Sequence, residues 1–332
     1  MIDTKVLIIA EAGVNHNGDF DTAIRMIDAA KKAGADIVKF QTSLNSTSRF
    51  SEKAKYQKEA TGNDDSLFDM IKKLRLSFDQ HRELKNYCDK IGITYLCTPF
   101  DFESIDFLND LGCDIWKIPS GEVVNVPYLR KIAKTKKNII MSTGICTIEE
   151  IRGAIELLKN NGSGDITLLQ CTTEYPTPYE DVNLRAMITL KNTFGLDVGF
   201  SDHSVGIEVP IAAVALGAKV IEKHFTLDRN MPGPDHKASI EPDELERMVK
   251  SIRNIERALG DGIKIPHKGE IENKYISRKS IVALRDIKKG ELLTDANIVP
   301  RSAGKGISPA MWDKVLGTEA IRDFQEDEMI EI

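Results

Sequence analysis

The chain of 332 residues has no CxxC pair, and its five cysteines (88, 97, 113, 146 and 171) are odd in number and scattered. That pattern argues against a disulfide framework or a zinc knuckle and makes a reducing cytoplasm the expected compartment. Long apolar runs are missing too. The opening "MIDTKVLIIAEAG" has one lysine and a short apolar stretch interrupted by Glu11, so neither a signal peptide nor a membrane span is expected. Positive charge is not in excess. A formal net charge of −6 gives no basis for nucleic-acid or membrane partners. The first turn, "EAGVNHNGD", lacks the GxGxxG of a dinucleotide fold.

What is present is a rhythm. Short apolar runs at residues 6–10, 37–40, 94–97, 115–118, 139–141, 166–169, 198–200 and 220–222 alternate with segments of helical period. "TAIRMIDAAKKAGA" carries one apolar stripe and ends at Gly34, a C-cap signal. "TIEEIRGAIELLKNNG" opens with Thr147 as N-cap and Glu150 three residues on. Eight such units predict a closed (β/α)8 TIM barrel over residues 1–260, with a doubly wound sheet as the alternative. The long gap between runs two and three, containing "TGNDDSLFDMIKKL", predicts a loop plus helix over one barrel end. Residues 261–277 read as a polar linker with Pro266, and residues 278–332 as a small β-rich domain built on "KSIVALRDI" and "NIVPR".

In such a barrel the chemistry sits where the strands end. Here those ends are polar throughout: Glu11, then Lys39 and Gln41, Thr98, "IWKIPSGE" with Lys117, Ser120 and Glu122, "STG", "CTTEYPTPYED", "GFSDHS" and "IEKHFT". A lysine inside an apolar strand costs several kcal/mol unless paired, so Lys39 and Lys117 imply an anionic ligand that compensates their burial. His203 and His224 on adjacent strands can share a divalent metal in an open site. Hydroxyls with two lysines suit a phosphate or carboxylate. Glu11, Glu122 and Asp235 offer acceptors for hydroxyls or a general acid/base. These residues point to a metal-assisted enzyme acting on a small phosphorylated or carboxylated substrate.

The segments "AEAGVNHNGD", "VKFQT", "CTPFD", "WKIPSGE", "CTTEYPTPYEDVNL", "GFSDHS", "IEKHFT" and "GPDH", in this order, resemble the sialic acid synthase family along essentially the whole chain. The last 55 or so residues are similar to that family's antifreeze-like (SAF) domain. The resemblance implies condensation of phosphoenolpyruvate with an N-acetylated amino sugar. It implies a divalent cation on His203 and His224, manganese first and magnesium or cobalt as alternatives. It maps Lys39, Gln41, Thr98, Lys117, Ser120 and Ser201 onto phosphoenolpyruvate contacts, and Asn63, Tyr175 and Asp235 onto the sugar side. Glu122 is the expected proton-transfer residue, with Glu11 at an acid/base or hydroxyl-binding position. Some members have asparagine at the position of Thr173, which puts that phosphate contact in question. The resemblance also implies a domain-swapped homodimer in which Arg301, or Lys305 in the same loop, reaches a neighbour's barrel. "RSAGKGI" departs there from the family's "RPGNGI".

Two rival classes stand beside this. A Schiff-base aldolase would use Lys39 or Lys117 covalently without metal, and a metal-dependent hydrolase would show an HxH pair on strand one, where this chain has "NHN". A purely carbohydrate-binding role would not need two lysines, two histidines and three carboxylates at one barrel end. Among sugars, N-acetylmannosamine is placed first. The 2,4-diacetamido-2,4,6-trideoxymannose that leads to legionaminate follows closely, with the pseudaminate series as a further alternative.

Overall fold

The computed structural model describes residues 5–62 and 65–332, which fall into two compact units divided between Gly260 and Asp261. The first is built on eight parallel strands: β1 (Leu7–Gly13), β2 (Ile37–Thr42), β3 (Thr94–Pro99), β4 (Ile115–Ile118), β5 (Asn138–Ser142), β6 (Ile166–Cys171), β7 (Asp197–Asp202) and β8 (Val220–His224). β1 pairs with both β2 and β8, so the first and last strands are joined. β3 and β4 are neighbours without a ladder, which leaves a near-closed TIM-type barrel.

The helices that cover the barrel form where local signals agree with the period. The Phe20–Ala33 helix starts at Asp19, whose side chain accepts from the Thr22 amide, and stops at Gly34 with φ 85°. Its stripe of Ala23, Met26, Ile27 and Ala30 is buried against the sheet. The Ile148–Asn160 helix has the expected capping box between Thr147 and Glu150.

Two expectations need correction. Most strands extend past their apolar runs into polar residues: β2 continues through Gln41 and Thr42, β7 through Ser201 and Asp202, β8 through Lys223 and His224. Backbone pairing in a parallel ladder does not depend on side-chain polarity, so the apolar run marks only the stretch with apolar neighbours. Between β2 and β3 the structure has not one inserted helix but two, Lys55–Thr61 and Leu67–Leu74, before the Phe78–Ile91 crossover helix. The first of these buries no residue, hence it left no apolar period to read.

In the second unit β9 (Ser280–Ala283) pairs antiparallel with β10 (Ile298–Arg301) around a core that includes Ile281, Ile287, Leu293 and Phe324. The segment expected as a bare linker carries a helix, Lys268–Ser277, again with no buried residue. No helix among the described residues is long and apolar enough to cross a membrane.

One buried group sets a pH dependence. His81 is fully buried, its Nδ1 2.8 Å from the Tyr95 hydroxyl. Burial, helped by repulsion from His16, pushes its pKa down from 6.5 to about 3. The unfolded chain therefore binds more protons across that interval, so stability is full above about pH 6.5 and falls as the pH drops toward 3. Replacing His81→Phe should flatten the decline of thermal midpoint between pH 6.5 and 4 without abolishing it, because buried His16, lowered to about 4, still titrates. An unchanged slope would show that His81 is not buried in its neutral form.

Candidate active site

Side chains alternate along each strand, so every second residue faces the barrel interior. Ile9, Ile37, Leu96, Ile140, Leu169 and Val220 form an apolar floor, a cluster separate from the one beneath the helices. Two residues further along the same strands stand Glu11, Lys39, Thr98, Ser142, Cys171 and Glu222, and all six line a cavity of about 410 Å³. The change from hydrocarbon to charge takes one step of the alternation.

Four of the charged groups form a buried network. Lys39 Nζ lies 2.9 Å from Glu11 Oε2 and 3.7 Å from Glu222 Oε2, and donates to Thr98 Oγ1 at 3.2 Å. Lys117 Nζ lies 3.6 Å from Glu222 Oε1 and donates to Ser142 Oγ at 2.7 Å. Ser201 Oγ donates to Glu222 Oε1 at 3.1 Å, and Gln41 Nε2 to Glu11 Oε1 at 2.8 Å. The chain itself supplies part of the compensation expected from an anionic ligand, through Glu11 and Glu222. Sequence reasoning missed Glu222, which sits at the end of what reads as an apolar run. The signal available was its place two residues before His224, on the same face of the strand.

The compensation is uneven. Burial opposes the charge on Lys39, yet Glu11 and Glu222 outweigh it and hold the ammonium above its usual range. For Lys117 burial wins over the pull of Glu222, and its pKa falls. Glu222, drawn down by Lys117 and Lys39 against its own burial, stays ionised, while burial raises Glu11 despite Lys39. Lys117 is therefore the ammonium that gains most from an added negative charge.

Above this layer the two histidines come together, ring centroids 5.4 Å apart. His203 Nδ1 lies 2.6 Å from the Thr172 carbonyl oxygen, which can only accept, so Nδ1 carries the proton and Nε2 is left as a ligand atom in the neutral ring. His224 Nδ1 is buried without a hydrogen-bond partner, 3.8 Å from Asp235 Oδ2. Burial raises Asp235 to about 6. The Tyr175 ring stacks on His203 at 4.0 Å and meets His224 edge-on at 5.6 Å. Below the His203 loop, buried Lys223 joins Asp202 Oδ2 and the Ser204 carbonyl at 2.6 Å each, pinning the turn that carries the imidazole.

At the rim Ser120 Oγ accepts from the Gly144 amide at 2.9 Å. A Cβ at Gly144 would lie 2.4 Å from Thr173 Oγ1 and 3.0 Å from Ser120 Oγ, so only glycine lets these hydroxyls and the backbone converge. Glu122 is half-buried, which raises its pKa, and accepts from Asn125 Nδ2 at 2.6 Å. Ser120, Glu122 and Thr173 line the cavity together with Gln41, Lys117, Tyr175, Ser201, both histidines and Asp235. Asn63 lies outside the described residues. Arg301 belongs to the second unit, where it pairs with Asp327, and Lys305 sits 4.6 Å over the Tyr275 ring.

Among the described residues no three or more His, Cys, Asp or Glu side chains are grouped to hold a metal ion. An ion on His203 and His224 would take its other ligands from water or substrate, as an open site requires. The unpartnered Nδ1 of His224 and the free Nε2 of His203 fit that role.

Fold and cavity together define a barrel protein of the enzyme kind, with its charged side chains gathered at the C-terminal strand ends. The chain matches the NeuB family over residues 26–264 and the SAF domain over residues 278–331, and it belongs to the NeuB family. It is 53% identical to the N,N'-diacetyllegionaminic acid synthase of Campylobacter jejuni over 98% of this chain and 99% of that one. With the enzyme of the same name from Legionella pneumophila it shares 46% identity over 94% and 89%. A crystal structure of N-acetylneuraminic acid synthetase from Leptospira borgpetersenii, in complex with citrate, superposes with a TM-score of 0.72 at 39% identity, covering 81% of this chain and 91% of that one.

The network makes a prediction of its own. Glu222→Leu leaves Lys117 buried without a carboxylate and should cost about 3–5 kcal/mol of stability. Adding Lys117→Met removes the stranded charge while the Glu11–Lys39 pair stays, so the double variant should unfold later in denaturant than Glu222→Leu alone. Additive losses would show that the two groups are not coupled.

Proposed function

We propose that the protein is a nonulosonic acid synthase that joins phosphoenolpyruvate to 2,4-diacetamido-2,4,6-trideoxymannose, releasing phosphate and forming N,N'-diacetyllegionaminic acid. The observation that carries the reaction class is the cavity itself, where an under-compensated lysine, a ring of hydroxyls, a half-buried glutamate and two histidines converge. The identities favour the legionaminate series. N-acetylmannosamine, placed first on sequence alone, gives way because the two legionaminic acid synthases are more similar to this chain than the neuraminic acid synthetase is.

In this reading Lys117, with Ser120, Thr98 and Ser201, receives the anionic groups of phosphoenolpyruvate, and Lys39 and Gln41 complete the cradle. Carbon 3 of phosphoenolpyruvate forms a bond to the sugar aldehyde carbon. Glu122, whose carboxyl partial burial pushes above the usual range, delivers a proton to the aldehyde oxygen, which becomes a hydroxyl. Water adds at carbon 2 of the resulting oxocarbenium and gives one proton back to Glu122; the C–O bond to phosphate then breaks as the new hydroxyl at carbon 2 becomes the ketone, its proton leaving with phosphate. Glu11, Tyr175 and Asp235 face the sugar. His203 and His224 would hold a divalent ion, manganese first, and such an ion polarises a carbonyl when bound. Arg301, or Lys305 in the same loop, would reach the partner's phosphoenolpyruvate across a domain-swapped homodimer.

Phosphate release from phosphoenolpyruvate should depend on the diacetamido sugar and exceed the rate with N-acetylmannosamine at equal concentration. Equal or inverted rates would move the assignment back to neuraminate, and no phosphate with any aminosugar would remove the synthase reading. For the metal, His203→Ala and His224→Ala should each lose at least about 100-fold in turnover. Each should also retain less manganese after dialysis, measured by elemental analysis. A variant that keeps its rate in metal-free buffer would overturn the ligand assignment.

A further inference from the structure

The cavity has two unlike faces. Opposite the charged strand ends lies the inserted Leu67–Leu74 helix, which presents Leu67, Met70, Ile71 and Leu74 to it. Their spacing of i, i+3, i+4 and i+7 makes one apolar stripe, while Asp69, Lys72 and Lys73 occupy the other side. An amphipathic helix of a barrel normally buries its stripe in the core. Here none of the four residues belongs to the hydrophobic clusters of the barrel, although Met70 is buried and the others are half-buried. Among the described residues the stripe joins neither apolar cluster of the barrel, and the cavity lies along it.

The aromatic rings show which end of a substrate arrives there. Tyr175 stacks on His203 at 4.0 Å, and Tyr56, on the neighbouring inserted helix, stacks on Tyr175 at 4.9 Å. This column runs from the histidine pair toward the insertion. A sugar whose aldehyde lies at the histidines carries its distal carbons along it, toward the stripe. The stripe offers no N–H or O–H group. Polar groups such as Tyr56, Gln57 and Arg75 also line the cavity, but a hydroxyl held against the stripe itself loses water partners there, whereas a methyl group loses none.

We propose that Leu67, Met70, Ile71 and Leu74 form a specificity wall that selects a sugar bearing apolar substituents at its distal end, namely the methyl of a 6-deoxy carbon and that of a 4-acetamido group. This rests on the synthase reading given above and names the residues that choose among its sugars. The wall stands on an insertion outside the strand ladder, so a change in it leaves the Glu11–Lys39–Glu222–Lys117 network in place.

The test uses the full-length chain and both sugars, with phosphoenolpyruvate saturating. Ile71→Thr keeps the branched shape and replaces a carbon by a hydroxyl, and Leu74→Asn puts an amide on the stripe. Each should lower the ratio of kcat/KM for 2,4-diacetamido-2,4,6-trideoxymannose over N-acetylmannosamine by about 10-fold or more, the scale of one apolar group in a fitted pocket. The loss should appear mainly in KM for the diacetamido sugar, with KM for phosphoenolpyruvate within about twofold of wild type. Ile71→Val and Leu74→Met, which keep the wall apolar, should hold the ratio and serve if a polar variant fails to fold: a large change in ratio in these two would overturn the wall. A wild-type enzyme that prefers the diacetamido sugar, with the ratio unmoved in the polar variants, overturns the wall alone. A wild-type enzyme that prefers N-acetylmannosamine overturns the legionaminate reading and the wall with it.

Discussion

Two lysines cannot stand inside a barrel unless something negative stands with them. Each ammonium loses its hydration there, a cost of several kcal/mol after relaxation. The chain meets it by placing Glu11 and Glu222 between Lys39 and Lys117, with Thr98, Ser142, Ser201 and Gln41 taking up remaining hydrogen bonds. The four charges sum to zero, but they are not symmetric. Lys39 has two carboxylates within 4 Å and Lys117 has one. A neutral network with one weakly held cation is stable when empty and still attractive to an anion. Full internal pairing would have closed the site, and no pairing would have driven a lysine to give up its proton.

That arrangement is possible because of the alternation of the strands. Ile9 precedes Glu11, Ile37 precedes Lys39, Leu96 precedes Thr98 and Val220 precedes Glu222 on one inward face. The floor fixes the strands by packing, and the next inward position inherits that rigidity without contributing to it. Charged groups on such a scaffold are held by backbone ladders and not by loops, which is the placement that positions reacting groups most tightly. The outer face of β8 uses Lys223 in the opposite sense. It is buried as a strut, tying Asp202 and Ser204 so that the His203 turn stays in place.

How much of this could be read from the chain follows from the same physics. Barrel, strand order and caps were legible because period, Gly34 and the Thr147–Glu150 box are local signals that agree with one another. Most of the cavity was legible because Lys39, Lys117, His203 and His224 break apolar strands conspicuously. Glu222 was not, since beside Val220 and Ile221 it reads as the end of a core strand until the inward face is known from His224. The Lys55–Thr61 and Lys268–Ser277 helices were not legible either. Neither buries a residue, so neither needs an apolar stripe. The stripe of Leu67–Leu74 was visible as a helix, but its partner was not, because sequence alone cannot tell a core from a cavity.

This last distinction separates the two tasks of the site. Charge handling rests on interior strand positions, where loss of Glu11 or Glu222 leaves a buried ammonium with less compensation. On the proposal above, recognition of the distal part of the substrate rests on the Leu67–Leu74 helix inserted between β2 and β3, whose stripe lines the cavity while its C-terminal turn packs close to Gly18. A substitution on the strands must be matched by another or the fold suffers, as the shared Glu222 carboxylate requires. On that proposal the charged floor is held by paired buried ions and the wall by an apolar stripe, so the wall can change without a compensating change in the floor.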